Sequence, residues 1–421
     1  MIQYKNLSST LCSNAFTDLN IDFYNKRWRY CCKSVSYPIP EKFDANYFVN
    51  NEHKLKQQND LFLGIQTESC SECWKDYKNT GTAWRDIANQ WEVLPFEDDS
   101  KIKISHKLAK HIEPIDSYKS RYYYPHHLVL TFDNICDQSC IYCGPHNSTK
   151  WEQELKKNSN PNNINDVIIN FVSWINNDLV KHLRRNLTIQ VLGGEPTYSK
   201  NFYFFLDELK KYTWPKKLTI SITSNLNTNE PAFKRLEAYI EDLPFDWQIG
   251  VSNESYEKIA ENIRYGLKIK NFERNLANYT KLKKVSRIIF APTMNAFNVK
   301  DFEKYIEFVH GILKKNNKNQ EFIWIGNWVD NNPDQLDCKY LPNNFIDYIE
   351  DSIKTMKKTM IDINVDKSQE FLIFDWLDNM KKRILSSNED LPKIKKYLKY
   401  LKSVKPYLND TLLLKQLTYD R

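Results

Sequence analysis

Glycine is scarce in this sequence, with 9 glycines among 421 residues, and no stretch has the roughly 18 consecutive apolar residues of a membrane span. The first residues, MIQYKNLSST, lack the basic and apolar segments of a secretory signal peptide. The motifs of zinc proteases (H-E-x-x-H), phosphate-binding loops and serine hydrolases (G-x-S-x-G) are also missing. We therefore expect a cytoplasmic protein that acts without a membrane and without these three chemistries.

The composition predicts a folded protein with a charged C-terminal end. Apolar residues make up 41% and aromatic residues 14% of the chain, which is enough to bury a core in two or three domains. The net charge is +7, and residues 381–421 hold 11 Lys or Arg against 4 Asp or Glu. Such a segment could bind RNA, an acidic peptide or a membrane surface, but it more often forms only the solvated face of helices.

The pattern of residues divides the chain into four parts. Cysteines are concentrated in residues 1–95, and a polar linker or surface helix follows in residues 96–124. Residues 125–335 alternate short apolar runs with amphipathic stretches, and residues 336–421 contain three amphipathic helical segments. Cys338 has no cysteine neighbour and is expected to be a buried small side chain.

Six β-rich runs identify the central part as an α/β structure. They are HLVLTF, LTIQVL, LTISIT, WQIGVS, RIIFAP and EFIWIGNW, mostly separated by helical stretches. This alternation predicts βα units and a parallel sheet. The number of strands leaves open whether the sheet is doubly wound or forms a partial or full barrel.

Three cysteines, Cys136, Cys140 and Cys143, form a C-x3-C-x2-C array directly after the first of these runs. In parallel α/β folds, ligands bind at the carboxyl ends of the strands, where this loop is expected. Three thiolates can each bind a different iron of one [4Fe–4S] cubane and leave the fourth iron open. The alternative is a zinc site completed by a distant histidine such as His126, His127 or His146.

The second β-rich run ends in the sequence GGEP, formed by Gly193, Gly194, Glu195 and Pro196. Two glycines at a strand end let a backbone approach a ligand closely, and Glu195 adds a carboxylate. One βα unit separates this turn from the cysteine array. The two motifs are therefore expected at the same edge of the sheet.

The cysteine array with Tyr142 before its last cysteine, followed by GGEP, resembles the radical S-adenosylmethionine (radical SAM) enzymes. The resemblance implies a partial (β/α)6 barrel of the TIM-like type and a catalytic [4Fe–4S] cluster on the three cysteines. S-adenosylmethionine would bind the open iron, with GGEP at its amine and Tyr142 near its adenine. An electron from a donor such as flavodoxin or ferredoxin would yield a 5′-deoxyadenosyl radical that abstracts a substrate hydrogen.

Further segments are similar to the twitch domain-containing subgroup of this family: CGPHNSTKW, ITSNLNT, and the segment that begins at VSNESYEK. By this resemblance, Ser252 and Arg264 bind the methionyl carboxylate, and Ser224 and Asn225 face the ribose. The chain departs from the subgroup where Asn253-Glu254 replaces Asp-Gly and where Leu226 replaces a common glycine.

The N-terminal cysteines can supply a second, closed site. The chemistry of four thiolates permits structural zinc or an auxiliary [4Fe–4S] cluster. The resemblance to the twitch (SPASM-like) pattern favours the cluster and implies the ligands Cys12, Cys31, Cys70 and Cys73, with Cys31 preferred to Cys32.

These features predict a radical SAM enzyme, with a peptide or protein as its expected substrate. A small metabolite, such as a sugar or a nucleotide, is an alternative substrate. A non-catalytic zinc scaffold that binds nucleic acid is an alternative from a different class of protein.

Overall fold

The computed structural model of this chain describes residues 10, 12–40, 44–49, 51–80, 83, 85, 124–157, 163–183, 186–214, 217–316, 320–329, 333–361, 363, 370–386 and 388–420. The predicted linker, residues 96–124, lies outside the described residues except for its last position. No helix in the described ranges combines the length and the apolar character needed to cross a membrane.

The described strands are all short. They are β1 Asp18–Asp22, β2 Arg27–Arg29, β3 Tyr37–Pro38, β4 His127–Thr131, β5 Leu187–Leu192, β6 Leu218–Ser224, β7 Asp246–Val251, β8 Val285–Phe290, β9 Thr293–Met294, β10 Glu321–Trp324 and β11 Asn327–Trp328. The six predicted β-rich runs correspond to β4, β5, β6, β7, β8 and the pair β10–β11, so the prediction of these strands is confirmed.

Helices follow most of the strands of the central part. The α-helices are α1 Asn14–Thr17, α2 Glu52–Phe62, α3 Ser71–Thr80, α4 Thr149–Glu154, α5 Asn165–Trp174, α6 Lys200–Lys210, α7 Glu230–Asp242, α8 Glu257–Ile263, α9 Ile269–Tyr279, α10 Phe302–Asn316, α11 Ile346–Thr359, α12 Glu370–Leu385, α13 Leu391–Val404 and α14 Asp410–Lys415. Helix α5 continues through a π-helical turn, Ile175–Leu179, to Val180–His182. Short 3-10 helices are Ala45–Phe48, Glu68–Cys70, Pro196–Tyr198, Asp334–Leu336, Cys338–Tyr340 and Asn343–Phe345.

Nine strands form one sheet in the order β10-β8-β7-β6-β5-β4-β1-β2-β3. Strand β6 is parallel to β7, β7 to β8, and β8 to β10. From β4 to β10 the strands follow one another in chain order, without the reversal of a doubly wound sheet. The molecule is thus a mixed α/β structure, and closure into a partial barrel stays a prediction.

The N-terminal part contributes a strand that the sequence did not predict. Strand β1 pairs in parallel with β4, from Asp18 opposite His127 to Asp22 opposite Thr131. Leu19 and Ile21 are buried, but their neighbours Asp18 and Asn20 are buried as well. The sequence did not predict this strand because three of its five residues are Asp or Asn, which have low β-propensity. Strands β2 and β3 continue the sheet in antiparallel pairing.

One compact unit comprises residues 1–131, 163–190 and 204–218. Its aromatic core is centred on Trp28, which is 1% exposed. The rings of Tyr30, Tyr37 and Phe48 lie with centroids 5.0, 5.4 and 5.5 Å from that of Trp28. This unit contains the cysteines of the N-terminal part.

The other compact unit comprises residues 132–162, 191–203 and 219–421. Strands β7, β8 and β10 bury residues such as Ile249, Ile288 and Phe322. The three C-terminal helices predicted from the sequence correspond to α11, α12 and α13, which confirms them. Two compact units that interleave along the chain differ from the four contiguous parts expected, whose boundaries stay predictions.

Candidate active site

The cysteine loop, residues 132–148, follows β4 and carries the C-x3-C-x2-C array. Cys140 is buried, and Cys136 and Cys143 are partly exposed. All three are free thiols, and Tyr142 lies between the second and third. The loop therefore presents three thiols from eight consecutive residues, as the sequence predicted.

Hydrogen bonds from the segment after the loop fix its backbone. The Trp151 indole donates to the carbonyl of Cys140 at 2.7 Å, and the Ser148 hydroxyl donates to the carbonyl of Gln138 at 2.5 Å. The Cys136 amide donates to the Thr149 hydroxyl oxygen at 3.2 Å. Residues of the STKW sequence thus fix the backbone of the loop through three hydrogen bonds.

The GGEP turn is hydrogen-bonded to the same loop. The Gly194 amide donates to the carbonyl of Asp133 at 3.2 Å, and the Glu195 amide donates to the carbonyl of Ile135 at 2.6 Å. A Cβ atom on residue 194 would lie 2.1 Å from the Ile135 oxygen. Glycine is needed at 194 because the cysteine loop occupies the space of a side chain. The sequence predicts that a ligand approaches the backbone of these glycines, whereas at Gly194 the backbone of the cysteine loop does so.

Glu195 is 1% exposed and connects the end of β5 to the end of β6. Its carboxylate accepts hydrogen bonds from the hydroxyls of Thr197 and Ser224 at 2.8 and 2.9 Å, and from the Asn225 amide at 2.7 Å. Burial raises the pKa of Glu195 to about 7. The Ser224 hydroxyl oxygen also accepts a hydrogen bond from the Leu226 amide at 3.1 Å. The contact of Ser224 with a ribose stays a prediction.

Asp137 belongs to the cysteine loop and was not predicted as a site residue. It binds the segment that follows β6. Its carboxylate accepts from the side-chain amides of Asn225 at 2.9 Å and Asn227 at 2.6 Å. The Asn227 amide also donates to the carbonyl of Gly266 at 2.9 Å. Asp137 therefore joins the cysteine loop to the segment predicted to face the ribose.

A buried ion pair lies beside Cys140. The Arg264 guanidinium donates to the Glu254 carboxylate through Nη2 at 2.6 Å and through Nε at 3.1 Å. Its Nη1 lies 3.3 Å from the Ser252 hydroxyl and 3.9 Å from the Cys140 sulfur. The Tyr142 hydroxyl donates to the same Glu254 carboxylate at 2.8 Å.

Glu254 thereby orients Arg264. With Nε and Nη2 bound to the carboxylate, Nη1 is directed to Ser252 and Cys140. Ser252 and Arg264, the residues predicted to bind the methionyl carboxylate, lie next to each other, and that role stays a prediction. Arg264 and Ser252 are a cation and a hydroxyl donor, which suits an anionic carboxylate.

The thiols of the loop have environments suited to binding a metal cluster. Burial raises the pKa of Cys136, Cys140 and Cys143, and that of Cys140 rises to about 12. The positive charges of Arg264 and Lys405 act in the opposite direction on the pKa of Cys140 and Cys143. Cysteines bind metals as thiolates, so that binding releases protons. The positive charges of Arg264 and Lys405 would offset part of the negative charge of a cluster bound by these three thiolates.

The geometry differs from that of a site for a single ion. Within the described residues, no group of three or more His, Cys, Asp or Glu side chains is placed to hold one metal ion. Thiolates on a cubane bind different irons and do not converge on one point. Of the histidines considered as zinc ligands, His127 lies with Nδ1 3.3 Å from the Asp18 carboxylate, and the His146 ring packs against Gly144.

The four N-terminal cysteines predicted as ligands line one cavity in their own compact unit. Cys12, Cys31, Cys70 and Cys73 surround this space with Gln57, Trp74 and Arg85 among their neighbours. Each of the four is at most 8% exposed, whereas Cys32 is exposed and is absent from the lining of the cavity. Burial raises the pKa of Cys12, and the other three thiols raise it further. The structure thus brings together the four residues named from the sequence, and their ligand role stays a prediction.

Three residues that contact the candidate site were not predicted from the sequence: Asp137, Glu254 and Lys405. The contacts of Asp137 and Glu254 join positions that are 88 and 112 residues apart in the chain, which no local pattern signals. Glu254 had a weak signal, since it stands where the resembling subgroup has a glycine. Lys405 belongs to the C-terminal helices, where no chemistry was expected.

The sequence matches no protein-family model and no curated protein. Among solved structures, native anSMEcpe with bound AdoMet and Cp18Cys peptide is similar over 57% of this chain, with 15% identity and a TM-score of 0.39. The match spans 62% of that chain, less than two thirds of its length. Streptococcus suis SuiB bound to the precursor peptide SuiA is similar over 76% of this chain and 68% of its own, with 14% identity and a TM-score of 0.44. TYW1 with a lysine-pyruvate adduct is similar over 54% of this chain and 70% of its own, with 17% identity and a TM-score of 0.31. Similarities this weak establish neither a shared function nor a shared substrate.

Proposed function

We propose that this protein is a radical SAM enzyme of the twitch domain-containing type. The observation that carries the proposal is the direct hydrogen bonding between the cysteine loop and the GGEP turn. The amides of Gly194 and Glu195 donate to carbonyls of the loop that holds Cys136, Cys140 and Cys143. Two motifs separated by about one βα unit therefore form one surface at the ends of two strands, where ligands bind in α/β folds.

In this proposal, the three thiolates hold a [4Fe–4S] cluster with one open iron. When bound, the cluster supplies the electron that cleaves S-adenosylmethionine and gives the 5′-deoxyadenosyl radical for hydrogen abstraction. The chain's own residues bind and orient the cofactor. Arg264 and Ser252 take its carboxylate, the GGEP backbone its amine, and Tyr142 lies on the adenine side.

Burial and hydrogen bonding prepare these groups in advance. Glu195 and Asp137 hold the β6 end through Ser224, Asn225 and Asn227, so that little reorganisation is needed when the cofactor binds.

We infer an auxiliary [4Fe–4S] cluster at Cys12, Cys31, Cys70 and Cys73, because four buried thiols line one cavity. We propose a peptide or protein substrate, which the exposed Lys395 and Lys396 of α13 would attract if it is acidic. A flavodoxin or ferredoxin would be the electron donor. We place the activity in the cytoplasm, because all nine cysteines are free thiols, which is typical of a reducing compartment.

Iron and acid-labile sulfide analysis of protein purified without oxygen tests this proposal. Two clusters correspond to roughly eight irons per chain, with visible absorption that the reductant dithionite bleaches. Replacement of Cys136, Cys140 and Cys143 together by Ala would leave roughly four. Zinc without sulfide in the wild-type protein would contradict the proposal of a radical SAM enzyme and would favour the non-catalytic zinc scaffold instead.

A further inference from the structure

Lys405 is a buried cation beside the cysteine loop. The residue is 0% exposed and follows the last residue of α13, where the chain must leave the helical path before Pro406. Its ammonium has no hydrogen-bond partner among the residues that the structure describes. A buried lysine ammonium without such a partner is costly, so its retention calls for a compensating interaction.

Aromatic rings take the place of a hydrogen-bond acceptor. The ammonium nitrogen lies 3.6 Å from the centroid of the Trp151 ring and 6.0 Å from those of Tyr265 and Tyr407. The rings of Tyr265 and Tyr407 stack on each other at 3.7 Å. Cations bind favourably over aromatic faces, and more so when water is excluded. The position of the ammonium is thus fixed without a bound carboxylate.

Glu154, the acid whose charge acts on Lys405, is hydrogen-bonded to a different residue. The Glu154 carboxylate accepts a hydrogen bond from the Tyr407 hydroxyl, and no ion pair joins it to Lys405 in the described part of the chain. Burial lowers the pKa of Lys405 to about 8, which leaves the ammonium the prevailing form at neutral pH. Its positive charge is therefore only partly offset by a neighbour.

Trp151 connects this charge to the cysteine loop. The face of its ring binds the ammonium, and its indole nitrogen donates to the carbonyl of Cys140 at 2.7 Å. The residue after α13 thus places one buried positive charge across a single tryptophan ring from the backbone of Cys140.

We propose that Lys405 is a positioning charge that raises the reduction potential of a [4Fe–4S] cluster held by Cys136, Cys140 and Cys143. The proposal rests on the proposed function. The step concerned is a one-electron transfer, in which a low-potential external donor loses one electron to the cluster and no bond or proton is exchanged. Added negative charge is stabilised by a nearby cation, and net charge around a cluster sets its potential.

The test is a potentiometric titration of anaerobically reconstituted protein, followed by electron paramagnetic resonance, at pH 7. Lys405→Met keeps the apolar stem over Trp151 and removes the charge, and Lys405→Arg keeps the charge. Lys399→Met, an equal change at an exposed position of the same helix, is the matched control. A variant with Cys136, Cys140 and Cys143 replaced by Ala identifies the signal of the N-terminal cluster.

We expect the equilibrium constant for reducing the catalytic cluster to fall about tenfold in Lys405→Met, which is 59 mV for a one-electron couple. Lys405→Arg and Lys399→Met should keep the wild-type potential. An unchanged potential in Lys405→Met, at wild-type iron and sulfide content, would overturn the proposal. If Lys405→Met binds less iron, the potential is measured on the cluster that the variant does hold, and a wild-type potential there refutes the role of the charge. Wild-type protein without any cluster would instead refute the proposed function itself.

Discussion

Gly194 and Ile135 are in such close contact that a Cβ atom on residue 194 would lie 2.1 Å from the Ile135 carbonyl oxygen. The contact joins the GGEP turn to the cysteine loop through backbone atoms, and neither backbone can move aside without breaking the hydrogen bond between Glu195 and Ile135. The shape of the cysteine loop therefore depends on a glycine more than 50 positions away in the chain.

Gly194→Ala should distort the cysteine loop. Overpacking in a tight site costs about 1–3 kcal/mol of unfolding free energy, and we expect reconstituted protein to lose most of the iron of the catalytic cluster. Iron content and urea denaturation measure the two effects.

Gly311→Ala is the matched control, because a Cβ atom at this position within α10 meets no atom within 4 Å. Alanine in place of glycine inside a helix should stabilise the protein by about 0.5–1 kcal/mol. Normal iron content in Gly194→Ala would show that the two motifs tolerate separation.

The sequence was sufficient where the signal is local. The apolar runs of β4 to β8 and the adjacent residues Cys136, Cys140 and Cys143 were recognisable because each pattern lies within a few positions. Strand β1 was missed because its pairing with β4 buries polar residues against their local preference. Lys405 and Glu254 were missed because their roles arise only from folding, which brings distant positions together.

Glu254→Gln should destabilise the protein, because Arg264 is 5% exposed and would lose its ionic partner. Breaking a buried ion pair by removing one partner costs about 3–5 kcal/mol. Chemical denaturation of the cluster-free protein measures this loss without interference from iron.

A surface pair provides the comparison for Glu254→Gln. Lys234 and Glu237 lie 2.6 Å apart on α7, with the lysine 60% exposed, and Glu237→Gln should cost about 0–1 kcal/mol. Equal losses in the two variants would contradict the assigned burial of the Arg264–Glu254 pair.

The stability of the protein should rise with pH because of Lys54. Burial lowers the pKa of Lys54 from 10.5 to about 7 in the folded protein. Between these values, the unfolded chain carries a proton on Lys54 that the folded chain has lost, so the free energy of unfolding increases from about pH 7 to about pH 10.5. Each unit of the difference corresponds to about 1.4 kcal/mol.

Denaturation of wild-type protein and of Lys54→Met, from pH 7 to pH 9.5, isolates this contribution. The variant should be more stable at pH 7, and the difference should shrink as the pH rises. Parallel curves would mean that Lys54 does not lose its proton on folding in this range.

Cys31 and Cys32 should respond differently to replacement. Cys31 lines the cavity with Cys12, Cys70 and Cys73, whereas Cys32 is exposed outside it. We expect Cys31→Ala to reduce the iron content from roughly eight to roughly four per chain and Cys32→Ala to leave it unchanged. The reverse result would assign the fourth ligand to Cys32.

Cys136, Cys140 and Cys143 should together support reductive cleavage of S-adenosylmethionine. The most direct measurement is the formation of 5′-deoxyadenosine and methionine by anaerobically reconstituted protein, supplied with S-adenosylmethionine and dithionite. We predict both products from the wild-type protein and neither from Cys140→Ala. Undiminished 5′-deoxyadenosine from Cys140→Ala, or none from wild-type protein that carries a full complement of iron and sulfide, would contradict the account.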